Sequence, residues 1–319
     1  MLLRVHSIRL ADREDGRLQR KGAGELPRPR TRWVASAIAT CGVVAVSACG
    51  PLSPGSSADP QSAPTAANPP SAGLGAQATS YSGDPGPGWT MTWKDDFAGS
   101  AALRQWTPRN GGNGWGNKEL QVNDSDNVSL ASGGLIIRAD RGGRGQQCWY
   151  GSCAYSGARL DTQGSFEQKY GLFEARIKLP AGTGIWPAFW MEGADVGRVS
   201  WPGPGEIDVV EVNNTKPDLV EAFAHAPGEN YGAYHPLSQS LSAGYHVYGV
   251  DWTARGITWL VDGQEYGHIN AYAGWPFNQP FFLILSLAVG GTWPGSPTSG
   301  TRFPAYMDIS WIHVYQRKA

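Results

Sequence analysis

The stretch Gly205-Glu206-Ile207-Asp208-Val209-Val210-Glu211-Val212 holds three carboxylates among β-branched side chains, with no lysine or arginine between them. As a strand it turns Glu206 and Asp208 to one face and Ile207 and Val209 to the other. Strict alternation would carry Glu211 to the wrong side, and a single-residue bulge at Val209-Val210 brings it back. Three like charges on one wall repel, and the repulsion spreads their pKa values until one carboxyl stays protonated near neutral pH. Such a set suits cleavage of a glycosidic bond with retention. One carboxylate attacks the anomeric carbon and a second, roughly 5 to 5.5 Å away, protonates the departing oxygen. The competing reading is the solvated face of an antiparallel strand, which would intersperse basic partners among the acids.

The run E-I-D-V-V-E resembles the active-site signature of glycoside hydrolase family 16, in the bulged six-residue form of its laminarinase-like members. The resemblance implies Glu206 as nucleophile, Glu211 as general acid/base and Asp208 as the middle carboxylate that tunes the nucleophile. It spans residues 89–317. Within it, Gly114-Trp115-Gly116-Asn117-Lys118-Glu119-Leu120-Gln121 is similar to the family segment G-W-G-N-x-E-L-Q, which implies that Trp115, Asn117 and Glu119 line a sugar cleft. From the residues alone, Trp115 is either an aromatic plane presented by a glycine loop or a core anchor.

Trp186 and Trp190 are four apart and share one strand face, where they either stack on sugar C–H faces or fill the interior. The similar W-P-A-F-W segment of the family implies the first. Trp201-Pro202-Gly203-Pro204-Gly205 forms a turn whose tryptophan can face the acids. His225 falls where the family often has a histidine on the neighbouring strand, and reads as a cleft contact or as a satisfied structural histidine. Gly290-Gly291-Thr292-Trp293-Pro294-Gly295 resembles the G-G-x-W-P-G loop of laminarinase-like members and places Trp293 at the cleft edge. The loop favours β-1,3-glucan as substrate of an endo-acting, retaining glycosidase. The alternatives are mixed-linkage glucan, β-galactan or agarose under the same mechanism, hydrolytic or transglycosylating, and a non-catalytic jelly-roll carbohydrate-binding protein.

The elements that must hold these residues are short apolar runs separated by Gly, Pro and Asn clusters, in a chain of 319 residues with 43 Gly and 14 Trp. The pattern predicts an all-β fold, a two-sheet β-sandwich jelly roll with a concave substrate cleft. Strands are expected near residues 134–139, 171–179, 186–191, 206–213, 246–252, 257–261, 281–288 and 307–316. In residues 171–179, Phe173, Ala175, Ile177 and Leu179 face the core and Glu174, Arg176 and Lys178 face outward. Asp262-Gly263 supplies a tight hairpin turn. Cys148 and Cys153 close a short loop and read as a disulfide.

The histidines show no zinc-like spacing, so no metal is expected. Many relatives in the family end in V-D-Y-V-R-V-Y, with the Asp on a structural calcium. Here Ser310 stands at that position in Ile309-Ser310-Trp311-Ile312-His313-Val314-Tyr315, a hydroxyl where an all-oxygen calcium shell needs a carboxylate, and Asp308, two residues earlier on the same face, is the alternative ligand.

Residues 1–27 form a polar, arginine-rich extension. Residues 28–49 read as a signal peptide, with Arg28, Arg30 and Arg32 before an apolar run too short for a stable span. That run ends in Val46-Ser47-Ala48-Cys49-Gly50, which resembles a bacterial lipobox and makes Cys49 a lipidation site, or else Ala48 an ordinary cleavage point. Residues 50–88 read as a disordered Pro/Ser/Ala/Gly linker, and residues 89–319 as the catalytic domain. Beyond residue 49 the chain carries 17 Lys/Arg against 23 Asp/Glu. That balance gives no support for nucleic acid or an anionic polymer. The expected partners are a polysaccharide and, through an N-terminal lipid, the outer face of the cell membrane, with the protein exported and monomeric.

Overall fold

The computed structural model describes residues 81–131 and 133–318. The N-terminal extension, the signal segment with Cys49 and most of the linker lie outside the described residues. The strands form two facing layers. In the cleft layer the order is Glu229–Pro236, Leu219–Ala226, Glu206–Glu211, Ile185–Gly193, Phe281–Val289 and Tyr155–Asp161, all antiparallel. The outer layer runs Val128–Ala131, Gly134–Arg141, Ala305–Arg317, Gly171–Lys178, His246–Thr253, Gly256–Val261 and Gln264–Asn270, with Trp89–Asp95 also on Ala305–Arg317. Asp140 and Arg141 pair with Ser156 and Tyr155, so the layers are continuous along one side. Among the described residues helix is confined to two short 3-10 turns, Ala102–Gln105 and Ser125–Asn127.

Each expected strand is present, with shifted ends. Three cleft strands, Tyr155–Asp161, Leu219–Ala226 and Glu229–Pro236, lie outside the expected set. Their core-facing positions are largely small, Ala158, Ala222, Ala224 and Ala233 among them, so they lack the large apolar alternation that marks a strand in sequence.

The core fills the space between the layers. Phe173, Ala175, Ile177 and Leu179 enter it from the outer layer and Ile207, Val209 and Val210 from the cleft layer, all fully buried. Each large apolar side chain so buried contributes about 1.5–3 kcal/mol. Trp252 and Trp259 are the largest side chains enclosed. Asp262 and Gly263 both have positive φ, 50° and 75°, and Asp262 accepts from Val247 N–H and faces His246 Nδ1 at 2.7 Å, which makes it a turn residue.

Two expectations need correction. Glu174 does point away from the core, but it is only 1% exposed because Tyr81 covers it and donates a 2.7 Å hydrogen bond to Oε1. The linker reading also extends too far, since residues 81–88 belong to the fold. Tyr315 donates its hydroxyl to Gly83 O at 2.7 Å, and a Cβ at Gly83 would stand 2.2 Å from the Trp311 ring. The glycine is what lets the chain lie on that indole.

Candidate active site

The acidic strand carries the bulge. Phe189 opposes Val210 and Trp190 opposes Asp208, which leaves Val209 without a partner. Toward the other neighbour, Asp208 opposes Phe223 and Glu211 opposes Glu221. Val209 and Val210 both enter the core, and Glu211 thereby returns to the face of Glu206 and Asp208. A bulge frees backbone groups from the ladder. Here Trp259 reaches across the core from the opposite layer and donates its indole N–H to Asp208 C=O at 2.9 Å.

Each carboxylate has its own partners. Glu206 Oε2 accepts from the Trp201 indole at 2.9 Å, and Glu211 Oε2 from the Trp186 indole at 2.9 Å. His225 places Nε2 3.3 Å from Asp208 Oδ2 and 3.8 Å from Glu206 Oε1, with Nδ1 2.7 Å from Asn230 Oδ1. Burial disfavours the imidazolium, but the hydrogen bond and charge of Asp208, then Glu206, push the His225 pKa up to about 10. The ring is therefore a cation lying against two of the three acids. Glu206, Asp208 and His225 present donor atoms within 4.8 Å of one another. A metal ion there would have to displace the His225 proton, since a protonated imidazole has no free lone pair.

The two glutamates differ in the proton they keep. Burial, then the Asp208 charge, raises Glu211 well above the ordinary carboxyl range, opposed chiefly by one indole. The same two causes raise Glu206 to about 8, but it faces the His225 cation and the Trp201 indole and keeps 17% of its side chain open to solvent. Glu211 is thus the better proton holder and Glu206 the carboxylate that ionises first.

Of the expected aromatics, Trp186 and Trp201 bond the acids directly, Trp293 packs on Trp186, and Trp190 pairs with Asp208 across the strands. Trp186 and Trp293 pack at 5.3 Å between centroids, and Trp293 meets the Phe223 edge at 5.8 Å. Trp190 donates to Ser286 Oγ at 3.2 Å. Trp115 sits at φ 47° between Gly114 and Gly116, both also left-handed, in the predicted aromatic-bearing loop. Gly290 and Gly291 permit close approach there, for a Cβ at Gly290 would stand 2.6 Å from Leu120 and one at Gly291 3.3 Å from Trp186. Cys148 and Cys153 are disulfide-bonded. Asn117 is exposed, but Glu119 is not a surface contact. It is 8% exposed, accepts from Gln121 Nε2 at 2.6 Å, and is pushed up to about 7 by burial.

Sequence reading misses Arg159, whose guanidinium lies 4.5 Å from the Trp190 ring and 5.1 Å from the Trp115 ring, close enough for cation–π contact with both. Phe223 and Tyr234, in contact at 5.7 Å on the two missed neighbouring strands, are likewise additions. Alternation from His225 would have placed Phe223, whereas Arg159 in Tyr155-Ser156-Gly157-Ala158-Arg159 carries no such signal.

On the outer layer, the position implied for calcium does not fit the ion. Ser310 lies at a bulge, and Asp308, raised by burial, is opposite Lys178, whose positive charge counters that shift. A lone carboxylate facing an ammonium is a poor beginning for an all-oxygen shell.

A family model described as glycosyl hydrolases family 16 matches residues 114–313. A β-glucanase of Rhodothermus marinus is 34% identical over 255 residues, covering 73% of this chain and 87% of the relative. The clotting factor G alpha subunit of Tachypleus tridentatus is 35% identical over 237 residues and 72% of this chain, but the chain spans only 34% of that protein's length. The solved laminarinase catalytic domain from Thermotoga maritima MSB8, in complex with cetyltrimethylammonium bromide, matches with a TM-score of 0.69 and 37% identity, covering 73% of this chain and 100% of that one.

Proposed function

The chain belongs to glycosyl hydrolases family 16, and from that premise we propose that it hydrolyses internal β-1,3-glucosidic bonds of a β-glucan such as laminarin, with net retention. The observation that carries the reading is the Val209 bulge, which gathers Glu206, Asp208 and Glu211 on one wall among tryptophans. Glu206 attacks the anomeric carbon while Glu211 gives its proton to the departing oxygen, forming a glycosyl-enzyme. Glu211, now a base, activates water to release the sugar. Asp208 and His225 hold Glu206 in place and set its ionisation. The Trp186–Trp293–Phe223 group on one side and the Trp190–Arg159–Trp115 stack on the other position the sugars.

The test is reducing-end release from laminarin, barley mixed-linkage glucan, agarose and β-1,3-galactan, with Glu206→Gln run in parallel. Internal cleavage of laminarin that vanishes in the variant supports both substrate and nucleophile. Preferential cleavage of another polymer reassigns the substrate, and binding without turnover overturns the enzymatic reading.

We also infer export with lipidation at Cys49, on the lipobox-like Val46-Ser47-Ala48-Cys49. Radiolabelled palmitate should enter the wild-type protein and not Cys49→Ala. The protein acts as a monomer without bound calcium, so a chelator should leave its activity and Tm unchanged.

A further inference from the structure

The described surface carries two large exposed aromatic rings that the catalytic reading leaves unused. Trp149 and Tyr150 are 49% and 38% exposed and sit at the tip of the hairpin Gln147–Cys148 to Gly151–Ser152, closed by the Cys148–Cys153 disulfide. Their polar tips are already committed. The Trp149 indole donates to Glu119 O at 2.8 Å, and the Tyr150 hydroxyl donates to Leu120 O at 2.5 Å while accepting from Ala154 N–H at 2.8 Å. Trp149 N–H also donates to Gly112 O at 2.8 Å, and the rings meet edge to face at 5.4 Å. An exposed tryptophan ordinarily keeps its rotamer freedom. Here ordering is complete before any ligand arrives, and what faces solvent is ring surface without hydrogen-bonding demand.

The position of the hairpin continues the cleft. From the acidic strand, the layer steps through Trp190 and Ser286 to Arg159, three strand spacings or roughly 14 Å. Arg159 stacks on Trp115, and the turn behind Trp115 is the one against which Trp149 packs. A Cβ at Gly114 would stand 2.8 Å from the Trp149 ring. The path therefore runs Trp190, Arg159, Trp115, Trp149, the last on a separate, covalently closed element.

We propose that Trp149 and Tyr150 form a distal subsite that takes the pyranose ring of a β-glucan chain extending past Trp115, so that the enzyme grips long chains better than short ones. The proposal rests on the glucanase reading above. Its ligand class is a neutral sugar ring, whose apolar C–H face suits a fixed indole plane.

The test is calorimetric binding of laminaritriose and laminariheptaose to the full chain carrying Glu206→Gln. Adding Trp149→Ala should weaken the heptaose roughly tenfold, about one aromatic contact, and leave the triose unchanged. Trp149→Phe, which keeps a ring but loses the bond to Glu119, should retain most of the heptaose affinity. Equal losses for both sugars would mean that the hairpin merely props Trp115, and no loss for the heptaose would mean that the rings are idle. Either result overturns the subsite while leaving the catalytic reading intact. If the Glu206→Gln protein binds neither sugar, both readings fall.

Discussion

Glu206 and Glu211 are the same residue type on one strand, so their division of labour must come from their surroundings. His225 and Trp201 favour ionised Glu206, whereas burial and the Asp208 charge, opposed chiefly by the Trp186 indole, keep Glu211 protonated. The pH profile of kcat/KM should be bell-shaped, its acidic limb following Glu206 and its basic limb Glu211. Asp208→Asn removes the charge that raises Glu211. The basic limb should then move to lower pH, because Glu211 loses its proton more readily, and the acidic limb should move the same way, since the same charge raises Glu206. His225→Ala removes the cation that eases ionisation of Glu206, so its acidic limb should move to higher pH, the opposite end of the profile. A fall in kcat with both limbs fixed would show that His225 and Asp208 only pack the wall.

At the level of the strand, the bulge determines whether there is a site at all. Deleting Val209 leaves Glu206-Ile207-Asp208-Val210-Glu211, where plain alternation keeps the three acids on one face without a bulge, whereas deleting Val209 and Val210 together turns Glu211 into the core. In the double deletion, activity on laminarin should fall by at least the roughly 10²–10⁴ ascribed to a general acid, with folding checked by circular dichroism, while the single deletion should retain turnover. Trp259→Phe is subtler, since it keeps the packing and strips the hydrogen bond from Asp208 C=O. A loss of about 1–3 kcal/mol in denaturant unfolding is expected for the unpaired carbonyl, together with a fall in kcat greater than any rise in KM. The bulge was legible in sequence because the acids themselves demand it: Glu211 reaches the face of Glu206 only if one residue is extra. Trp259 was not, because nothing in Gly256-Ile257-Thr258-Trp259 says which layer its indole crosses to. Arg159 was hidden for a related reason. Its strand shows serine and alanine, Ser156 and Ala158, where a core-facing pattern would show large apolar groups, and its role exists only once Trp115 and Trp190 close on it from distant positions. Local alternation writes strands and their faces into the sequence, whereas contacts between distant elements are written only in the fold.

Across the whole molecule, the catalytic layer is one wall of a core whose opposite wall holds a buried acid of its own. Glu174 lies under Tyr81 on the outer layer, and burial pushes it from an ordinary 4.5 up to about 7, the Tyr81 hydrogen bond opposing the shift. A carboxyl whose pKa is raised by folding favours the folded state least when ionised. Below about pH 4 it is protonated folded and unfolded, and stability is unaffected. As pH rises through the unfolded value toward 7 the folded state loses ground, by at most about 3 kcal/mol once both forms are ionised. Glu174→Gln keeps an oxygen to accept from Tyr81 and removes the titration. Its Tm should exceed the wild-type value by several degrees near pH 8.5, and the two should converge near pH 4. Because the change sits on the face away from the acids, kcat/KM on laminarin and its pH limbs should stay as in wild type. A Tm difference constant across the whole pH range would mean that the gain comes from packing and that Glu174 ionises freely in the folded protein.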